Sequence, residues 1–243
     1  ITPIHKKDSK SDPANYRPVS LTSHIIKIFE RVIRTHMVKY LEENFILSPQ
    51  QHGFRKGRSC LTQLLSHYDN ILNNLNNGLE TDVIYLDFAK AFDKVDHKLL
   101  LKKVKFYGIG GKLYDWIKEF LSNRTQVVMV DGHHSRPELV RSGVPPGTVL
   151  GPFLFLIYIN DLENVVTSSR PSSFADDTRL TGAIDYLADS EQLQQDLNNV
   201  VDWSHHNNMK LHERKFELLS YTTNTSKLLR ELPFTAELSD YAT

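Results

Sequence analysis

This sequence of 243 residues has one cysteine, no long apolar run and no net charge. Its one cysteine, Cys60, excludes an internal disulfide and a zinc site built from several cysteines, and we expect it to be a small packing residue. No stretch approaches the roughly 20 apolar residues that a membrane-spanning helix needs. The opening residues, ITPIHKKDSK, lack the apolar segment of a signal peptide. Nothing here argues for secretion, and a single cysteine fits either a reducing compartment or indifference to redox state.

Net charge is absent as well, because 29 Lys and Arg balance 29 Asp and Glu. A zero balance by itself argues against a nucleic-acid-binding protein. The charges are unevenly placed, however, since residues 1–65 contain 11 basic and 5 acidic residues whereas residues 151–200 contain 2 and 8. This pattern is typical of a protein that binds phosphates with one part and metal ions with another. Ordinary patchiness of a solvated surface is the alternative interpretation.

The order of predicted elements indicates one continuous α+β unit, since no repeat or Pro/Gly-rich linker divides the chain. Apolar residues at helical spacing predict helices at residues 23–44, 61–78, 97–108, 112–123, 147–166 and 190–207. β-rich runs predict strands at 81–89, 125–132 and 215–221 and a hairpin at 172–183. We therefore expect a split βαβ (ferredoxin-like) antiparallel sheet with helices on one face.

Two adjacent carboxylates, Asp176 and Asp177, lie in the predicted hairpin SSFADDTRL. A solvated turn accounts for such a pair, because Asp is common in turns. The alternative is a divalent cation, which neutralises the repulsion between neighbouring carboxylates. A third acid, Asp87, ends a strand expected to lie beside this hairpin, so the three would hold two ions about 4 Å apart for in-line phosphoryl transfer. Asp93 and Asp96 compete for this role, but their spacing favours capping or solvent exposure.

Six longer stretches resemble the motifs of one family. In chain order they are PIHKKDSKSDPANYRPVSLTSHIIKIFERVI, QHGFRKGRSCLTQLL, DVIYLDFAKAFDKVDHKLLLKKV, SGVPPGTVLGPFLFLIYINDL, FADDT and WSHHNNMKLHERKFELL. They resemble successive motifs of the reverse transcriptases of non-long-terminal-repeat (LINE-type) retrotransposons, nearest to the chicken-repeat-1 and jockey-like lineages. The resemblance covers roughly residues 1–220 in the family's order.

This resemblance implies a right-hand polymerase that copies RNA into DNA from a primer 3′-hydroxyl. The fingers would comprise residues 1–80 with parts of 110–145, the palm residues 81–223, and a truncated start of the thumb connection residues 224–243, with the thumb largely absent. Implied partners are an RNA template, a DNA primer or target and deoxynucleoside triphosphates, with two Mg²⁺ ions, or Mn²⁺ as a substitute. A nuclear or cytoplasmic ribonucleoprotein and an endonuclease upstream in a longer parent protein are also implied.

The resemblance carries catalytic roles onto four positions and a nucleotide-selecting role onto a fifth. Asp87 and Asp176 would bind both metal ions, and Asp177 would complete the acidic cluster. Lys215 matches a lysine placed to protonate the leaving pyrophosphate, with a surface lysine as the alternative. Phe92 matches the sugar gate, where a bulky ring leaves no room for a 2′-hydroxyl; a core phenylalanine on a helix face is the alternative.

Basic residues match the family's phosphate contacts. Arg17 in NYRPVSL matches the fingers arginine that clasps the incoming triphosphate, and Lys6 or Lys7 would add a second cation. Arg55 and Arg58 match positions near the template, although each is equally well explained as a solvated surface charge.

The nucleotide-binding loop departs from the family in one place. Phe88, Pro146 and Gly147 are implied to lie at the nucleotide, but the family's GVPQG is GVPPG in this chain. Pro146 supplies neither a side-chain amide nor a backbone N–H. A polymerase, impaired or not, and a non-catalytic nucleic-acid-binding remnant therefore both stay open. A different carboxylate-metal enzyme, such as a nuclease, is disfavoured by the order of the motifs.

Overall fold

The computed structural model describes residues 1–212 and 215–223, so the expected start of the thumb connection lies outside the described residues. The helices are α1 (His24–Glu43), α2 (Cys60–Asn76), α3 (Ala91–Lys94), α4 (His97–Phe106), α5 (Gly111–Leu121), α6 (Gly151–Ile159) and α7 (Leu187–His206). The strands are β1 (Thr2–His5), β2 (Tyr16–Val19), β3 (Glu80–Leu86), β4 (Thr125–Gln126), β5 (Met129–Val130), β6 (His133–His134), β7 (Glu138–Leu139), β8 (Arg170–Phe174), β9 (Asp177–Ile184) and β10 (Glu217–Tyr221). Short 3₁₀ helices occupy Pro13–Asn15 and Leu162–Val165.

The chain divides into two compact units. The first contains Ile1–Leu47 and Lys90–Ile159, and the second contains Ser48–Ala89 and the described residues from Asn160 onward. Residues 48–80, expected in the fingers, thus cluster with the strands that follow them. The predicted helices α1, α2, α4, α5 and α7, strands β3 and β10, and the hairpin β8–β9 are all confirmed. Among the described residues, no helix combines the length and apolarity needed to cross a bilayer.

A four-stranded antiparallel sheet organises the second unit, with the strand order β10–β3–β9–β8. Strands β3 and β9 lie in its centre, and both are buried over most of their length. Helix α7 packs on one face of the sheet, where a Cβ added at Gly182 would lie 3.1 Å from a methyl of Leu193. The apolar residues of α7 recur at helical spacing, so Leu193, Leu197 and Val200 are buried together.

Helix α2 contacts the opposite face of the same sheet, along β3 and β8. Tyr85 and Arg179 are paired across β3 and β9, and they share this face. The His67 ring of α2 lies 6.4 Å from that of Tyr85, and Arg179 donates to the Gln63 carbonyl at 3.2 Å. The expectation of helices on one face is therefore wrong. It failed because central strands covered on both faces give no alternating pattern to separate them.

The first unit is built around α6, whose residues are buried almost throughout. Helix α4 packs against α6 and α5, and Lys103 donates to the Tyr158 carbonyl at 2.6 Å. The apolar run predicted that helix α6 begins near Gly147, but the helix begins at Gly151. Gly147 has φ +95°, which is incompatible with a right-handed helix at this residue. The Thr148 hydroxyl accepts a hydrogen bond from the Gly151 N–H at 3.0 Å and so acts as a cap at the start of the helix.

Two other expectations are corrected. The predicted strand at 125–132 is divided, because β4 pairs with β7 and β5 pairs with β6. Between them the Met129 N–H donates to the Ile1 carbonyl at 2.9 Å, so the segment changes partner in its middle. Cys60 is exposed at the start of α2, so its expected packing role is wrong.

Candidate active site

Asp87 directly follows β3, one of the two central strands of the sheet. The chain after α7 fixes this position, because the His212 N–H donates to the Asp87 carbonyl at 2.8 Å and the Ala89 N–H donates to the Lys210 carbonyl at 2.7 Å. Backbone hydrogen bonds on both sides thus restrict where the Asp87 carboxylate is presented. Its side chain is 19% exposed.

The hairpin places Asp176 in its turn and Asp177 at the start of β9. Phe174 pairs with Asp177, so Ala175 and Asp176 alone form the connection. Leu86 pairs with Thr178 in the neighbouring ladder, and one step further along that register brings Asp87 beside Asp177 on the same face. The central strand and the hairpin turn therefore present their acids at one end of the sheet.

Lys215 lies among these acids. Its ammonium donates to the Asp87 carboxylate at 2.6 Å, and this hydrogen bond, with the charges of Asp87, Asp177 and Asp176, raises the pKa of Lys215. The pKa of Asp177 is also raised, first by partial desolvation and then by the neighbouring charge of Asp87, while Lys215 lowers it. All three carboxylates thus act on one cation.

The donor set of this cluster suits Mg²⁺, a hard cation that prefers oxygen ligands. Within residues 1–212 and 215–223, no group of three or more Asp, Glu, His or Cys side chains is arranged to ligate one ion. Mg²⁺ in phosphate-transferring sites nevertheless takes only one or two protein carboxylates and completes its shell with water and phosphate oxygens. Asp87, Asp176 and Asp177 fit such an open site, and Asp87 already holds a cation, the ammonium of Lys215.

The loop GVPPG, residues 143–147, is held through its backbone in the first unit. Gly143 donates to the Val95 carbonyl at 2.8 Å, and its φ of +88° requires glycine because a Cβ would lie 2.9 Å from the Asp93 backbone. The Pro146 carbonyl accepts from the Ser20 N–H at 2.7 Å. Pro146 is half-buried and Gly147 is exposed.

The two phenylalanines implied at the nucleotide differ in their surroundings. Phe88 is buried, with its ring centroid 6.1 Å from that of Trp203, so its ring belongs to the core rather than to an open binding surface. Phe92 is half-buried and stacks on Phe155 with the ring centroids 4.5 Å apart. Its ring therefore has a packing role on one side and retains exposed surface.

The expected phosphate contacts are of two kinds. Lys6 and Arg17 are exposed next to and within the β1–β2 ladder of the first unit. Arg55 and Arg58 are half-buried in the second unit and donate to the carbonyls of Ser48 and Pro49. These two arginines thus support their own loop.

Asp96, which competed with Asp87 as a candidate metal ligand, caps α4 by accepting from the Leu99 N–H at 2.9 Å, as expected for a capping acid.

Two buried polar residues near these segments were not identified from the sequence. Glu30 is fully buried and accepts from the N–H groups of Val149 and Leu150 at 2.8 and 2.9 Å, which links α1 to the start of α6. Its signal was available, since it lies on the apolar stripe of α1 three residues before the buried Ile33. Gln51 is buried and bonds to the backbone of Ala175 in the β8–β9 hairpin.

Comparison with known proteins gives a family match over most of the chain. The family described as "Reverse transcriptase (RNA-dependent DNA polymerase)" matches residues 4–231. The "Probable RNA-directed DNA polymerase from transposon BS" of Drosophila melanogaster is 31% identical over 218 residues, which are 84% of this chain and 23% of that protein. The "RNA-directed DNA polymerase from mobile element jockey" of the same species is 30% identical over 234 residues, 93% and 25% respectively. The chain spans about a quarter of the length of these curated relatives.

Solved structures with a similar fold include two telomerases. Telomerase from Candida albicans, in complex with a TWJ fragment of telomeric RNA, gives a TM-score of 0.59 at 10% identity and covers 80% of this chain and 35% of that one. Apo telomerase from Candida tropicalis, truncated from its C-terminal domain, gives 0.57 at 10% identity, with 81% and 41% covered. At this identity the likeness shows the fold alone, which is that of a polymerase palm and fingers.

Proposed function

Because the chain belongs to the reverse transcriptase family, we propose that it provides the fingers and palm of an RNA-directed DNA polymerase that extends a primer 3′-hydroxyl with deoxynucleotides. Its relatives in the BS and jockey elements confirm the predicted LINE-type, jockey-like lineage. The observation that carries the proposal is that the register of β3 with the β8–β9 hairpin brings Asp87, Asp176 and Asp177 to one end of the sheet, where Lys215 donates to Asp87. Acids from two separate parts of the chain thus lie close together, as a metal-dependent phosphoryl transfer requires.

The palm would be a split βαβ unit. The strand order β10–β3–β9–β8 and the helix α7 between β9 and β10 support this arrangement. In our proposal residues 81–223 form the palm and residues 1–80, with parts of 110–145, form the fingers. Helix α2 is then an additional layer on the second face of the sheet.

Mg²⁺ bound at the acidic cluster would supply a lowered pKa for the primer 3′-hydroxyl and charge neutralisation for the triphosphate. Asp87 and Asp176 would be its principal ligands, and Asp177 would add negative charge beside them. Lys215 would give up its hydrogen bond to Asp87, and its ammonium would donate a proton to the leaving pyrophosphate. The exposed Arg17 and Lys6 would bind triphosphate oxygens, for which the planar guanidinium of arginine is well shaped.

An RNA template, a DNA primer and deoxynucleoside triphosphates are the proposed partners, within an intracellular ribonucleoprotein. The Candida albicans telomerase, which has a similar fold, binds a TWJ fragment of telomeric RNA, and RNA binding by a protein of this fold supports an RNA partner. Arg55 and Arg58 are the proposed template contacts, although their bonds to the carbonyls of Ser48 and Pro49 also suit a purely structural role.

A nucleic-acid-binding remnant without synthesis is the second candidate function. Pro146 favours it, because a donor expected beside the nucleotide is missing from this half-buried position. Primer extension on an RNA template with all four deoxynucleotides, run beside primer-template binding and a nuclease control, separates the two. Extension above a no-enzyme control supports the polymerase, binding without extension supports the remnant, and cleavage without extension contradicts both.

The Phe92 sugar gate gives a prediction of altered selectivity. Phe92→Val should admit ribonucleotides at least about threefold more readily relative to deoxynucleotides, since the smaller side chain leaves room for a 2′-hydroxyl. Loss of the stack on Phe155 should also lower the free energy of unfolding by roughly 2 kcal/mol, less than for a fully buried phenylalanine. Single-nucleotide incorporation and urea unfolding measure the two effects. Destabilisation with unchanged selectivity would leave Phe92 as a packing residue.

Lys215 gives a prediction about metal affinity. Lys215→Met should strengthen Mn²⁺ binding by up to about fivefold, because the ammonium competes with the metal for Asp87 and an exposed ion pair contributes up to about 1 kcal/mol. Primer extension should slow in the same variant if Lys215 assists the leaving group. Electron paramagnetic resonance titration of Mn²⁺ is the measurement. Lys210→Met removes a nearby exposed lysine and should leave Mn²⁺ affinity unchanged. If both variants change Mn²⁺ affinity equally, the effect comes from the lower net charge of the protein and not from the contact between Lys215 and Asp87.

A further inference from the structure

The turn that carries Asp176 has an unfavourable backbone conformation. Ala175 and Asp176 are the two residues between the paired Phe174 and Asp177, and Ala175 has φ +56°. Positive φ at this position of a two-residue hairpin is ordinarily provided by glycine, because a Cβ crowds the backbone there. An alanine keeps this conformation only if contacts with surrounding residues stabilise it, because other turn conformations are otherwise lower in energy.

Gln51 provides that support through both ends of its side-chain amide. Its Nε2 donates to the Ala175 carbonyl at 3.2 Å, and its Oε1 accepts from the Ala175 N–H at 2.9 Å. The same oxygen accepts from the Gly53 N–H at 2.7 Å, which identifies it as the acceptor end of the amide. Gln51 is 7% exposed and Ala175 is 5% exposed, so water does not readily replace these bonds.

The segment containing Gln51 is itself fixed to the hairpin. The Ser173 N–H donates to the Gln50 carbonyl at 3.0 Å, and the His52 N–H donates to the Ser173 carbonyl at 2.8 Å, so residues 50–52 run beside β8 as a further short pairing. A Cβ at Gly53 would lie 2.4 Å from the Ala175 nitrogen. Gln51 and Gly53 therefore enclose the residue directly before Asp176.

We infer that Gln51 is a positioning residue that holds Ala175 at positive φ and thereby sets the direction of the Asp176 and Asp177 carboxylates. The inference rests on the proposed function, since it concerns how those acids are presented to a metal ion. Gln51 does not reach the acids itself; it acts through the backbone of the turn. Loss of its amide should leave the sheet intact and let the turn adopt other conformations.

Gln63 offers a matched control on the same hairpin. It is also a buried glutamine, 9% exposed, and its Nε2 donates to the Ser172 hydroxyl at 3.2 Å, three residues before Ala175. Gln63→Ala thus removes a buried amide that bonds to the hairpin but not to its turn. A second variant tests the conformational argument directly, because glycine adopts positive φ without crowding, so Ala175→Gly should compensate for a missing Gln51.

The experiment measures Mn²⁺ affinity by electron paramagnetic resonance and melting temperature in the full chain, for wild type, Gln51→Ala, Gln63→Ala and the double variant Gln51→Ala with Ala175→Gly. We expect Gln51→Ala to weaken Mn²⁺ binding at least tenfold and Gln63→Ala to change it less than twofold, with similar losses of melting temperature. The double variant should recover most of the affinity. Equal weakening in the two single variants, or no recovery in the double variant, would overturn the inference.

Amide exchange separates this inference from the proposed function. Gln51→Ala should accelerate exchange of the Ala175 N–H at least tenfold relative to the Leu180 N–H in the middle of β9, with no metal present. If wild type binds no Mn²⁺ through Asp87, the proposed function fails while the exchange result still reports on the turn. If wild type binds Mn²⁺ and Ala175 exchange is unaltered in Gln51→Ala, the inference fails while the proposed function stands.

Discussion

Asp87→Asn should abolish primer extension, lowering its rate by roughly 10³-fold or more, and should weaken Mn²⁺ binding by at least about 10- to 100-fold. The substitution keeps the size of the side chain and removes the charge that faces Lys215 and Asp177. A metal held by few protein ligands loses a large share of its binding energy with one carboxylate. Asp176→Asn should have a comparable effect, because the two acids are proposed to ligate the same ions.

Asp185→Asn is the matched control, since Asp185 is an exposed acid that directly follows the other end of β9. It should leave both Mn²⁺ affinity and extension unchanged. Melting temperatures of all three variants distinguish a lost ligand from a lost fold. Unchanged Mn²⁺ affinity in both Asp87→Asn and Asp176→Asn would contradict the three-carboxylate site.

The parts of this site that lie within short stretches were predictable from the sequence. A β-rich run that stops at Asp87, and an acidic pair between two further runs, each indicate a local structure whose side chains point in known directions. The convergence of the three acids followed from placing those runs in one antiparallel sheet. The family resemblance implied a role for Lys215 at the leaving pyrophosphate, but neither the resemblance nor any periodicity in the sequence predicted its hydrogen bond to Asp87.

The parts that depend on long-range packing were not predictable. Gln51 contacts Ala175 across 124 residues of chain, and a single glutamine in QHGFR gives no signal of its partner. Strands β3 and β9 are covered on both faces, so their sequences do not show that α2 takes the second face. The start of α6 was misplaced because Val149 and Leu150 continue its apolar run, while their N–H groups bond to Glu30 instead of extending a helix.

In our proposal, Pro146 is the residue after the acids whose identity most affects activity. Its carbonyl bonds to the Ser20 N–H, and Gly143 and Val144 bond to the carbonyls of Val95 and Phe92, so the loop is anchored without any donor from Pro146. A residue with an N–H and a side-chain amide at this position would keep that carbonyl contact. The missing donor therefore affects what the loop offers to a nucleotide more than how the loop folds.

Pro146→Gln should accordingly raise primer extension by at least about tenfold with little change in melting temperature. A preorganised donor beside the reacting group contributes roughly 10²- to 10³-fold in rate, about 3 to 4 kcal/mol, so partial recovery is the expected minimum. Pro146→Ala restores the backbone N–H without the amide, and it should recover less than Pro146→Gln. Equal gains in the two variants would assign the defect to proline's stiffness. If Pro146→Gln leaves extension at background while Mn²⁺ and primer-template still bind, the missing donor does not limit synthesis and the defect lies elsewhere in the chain.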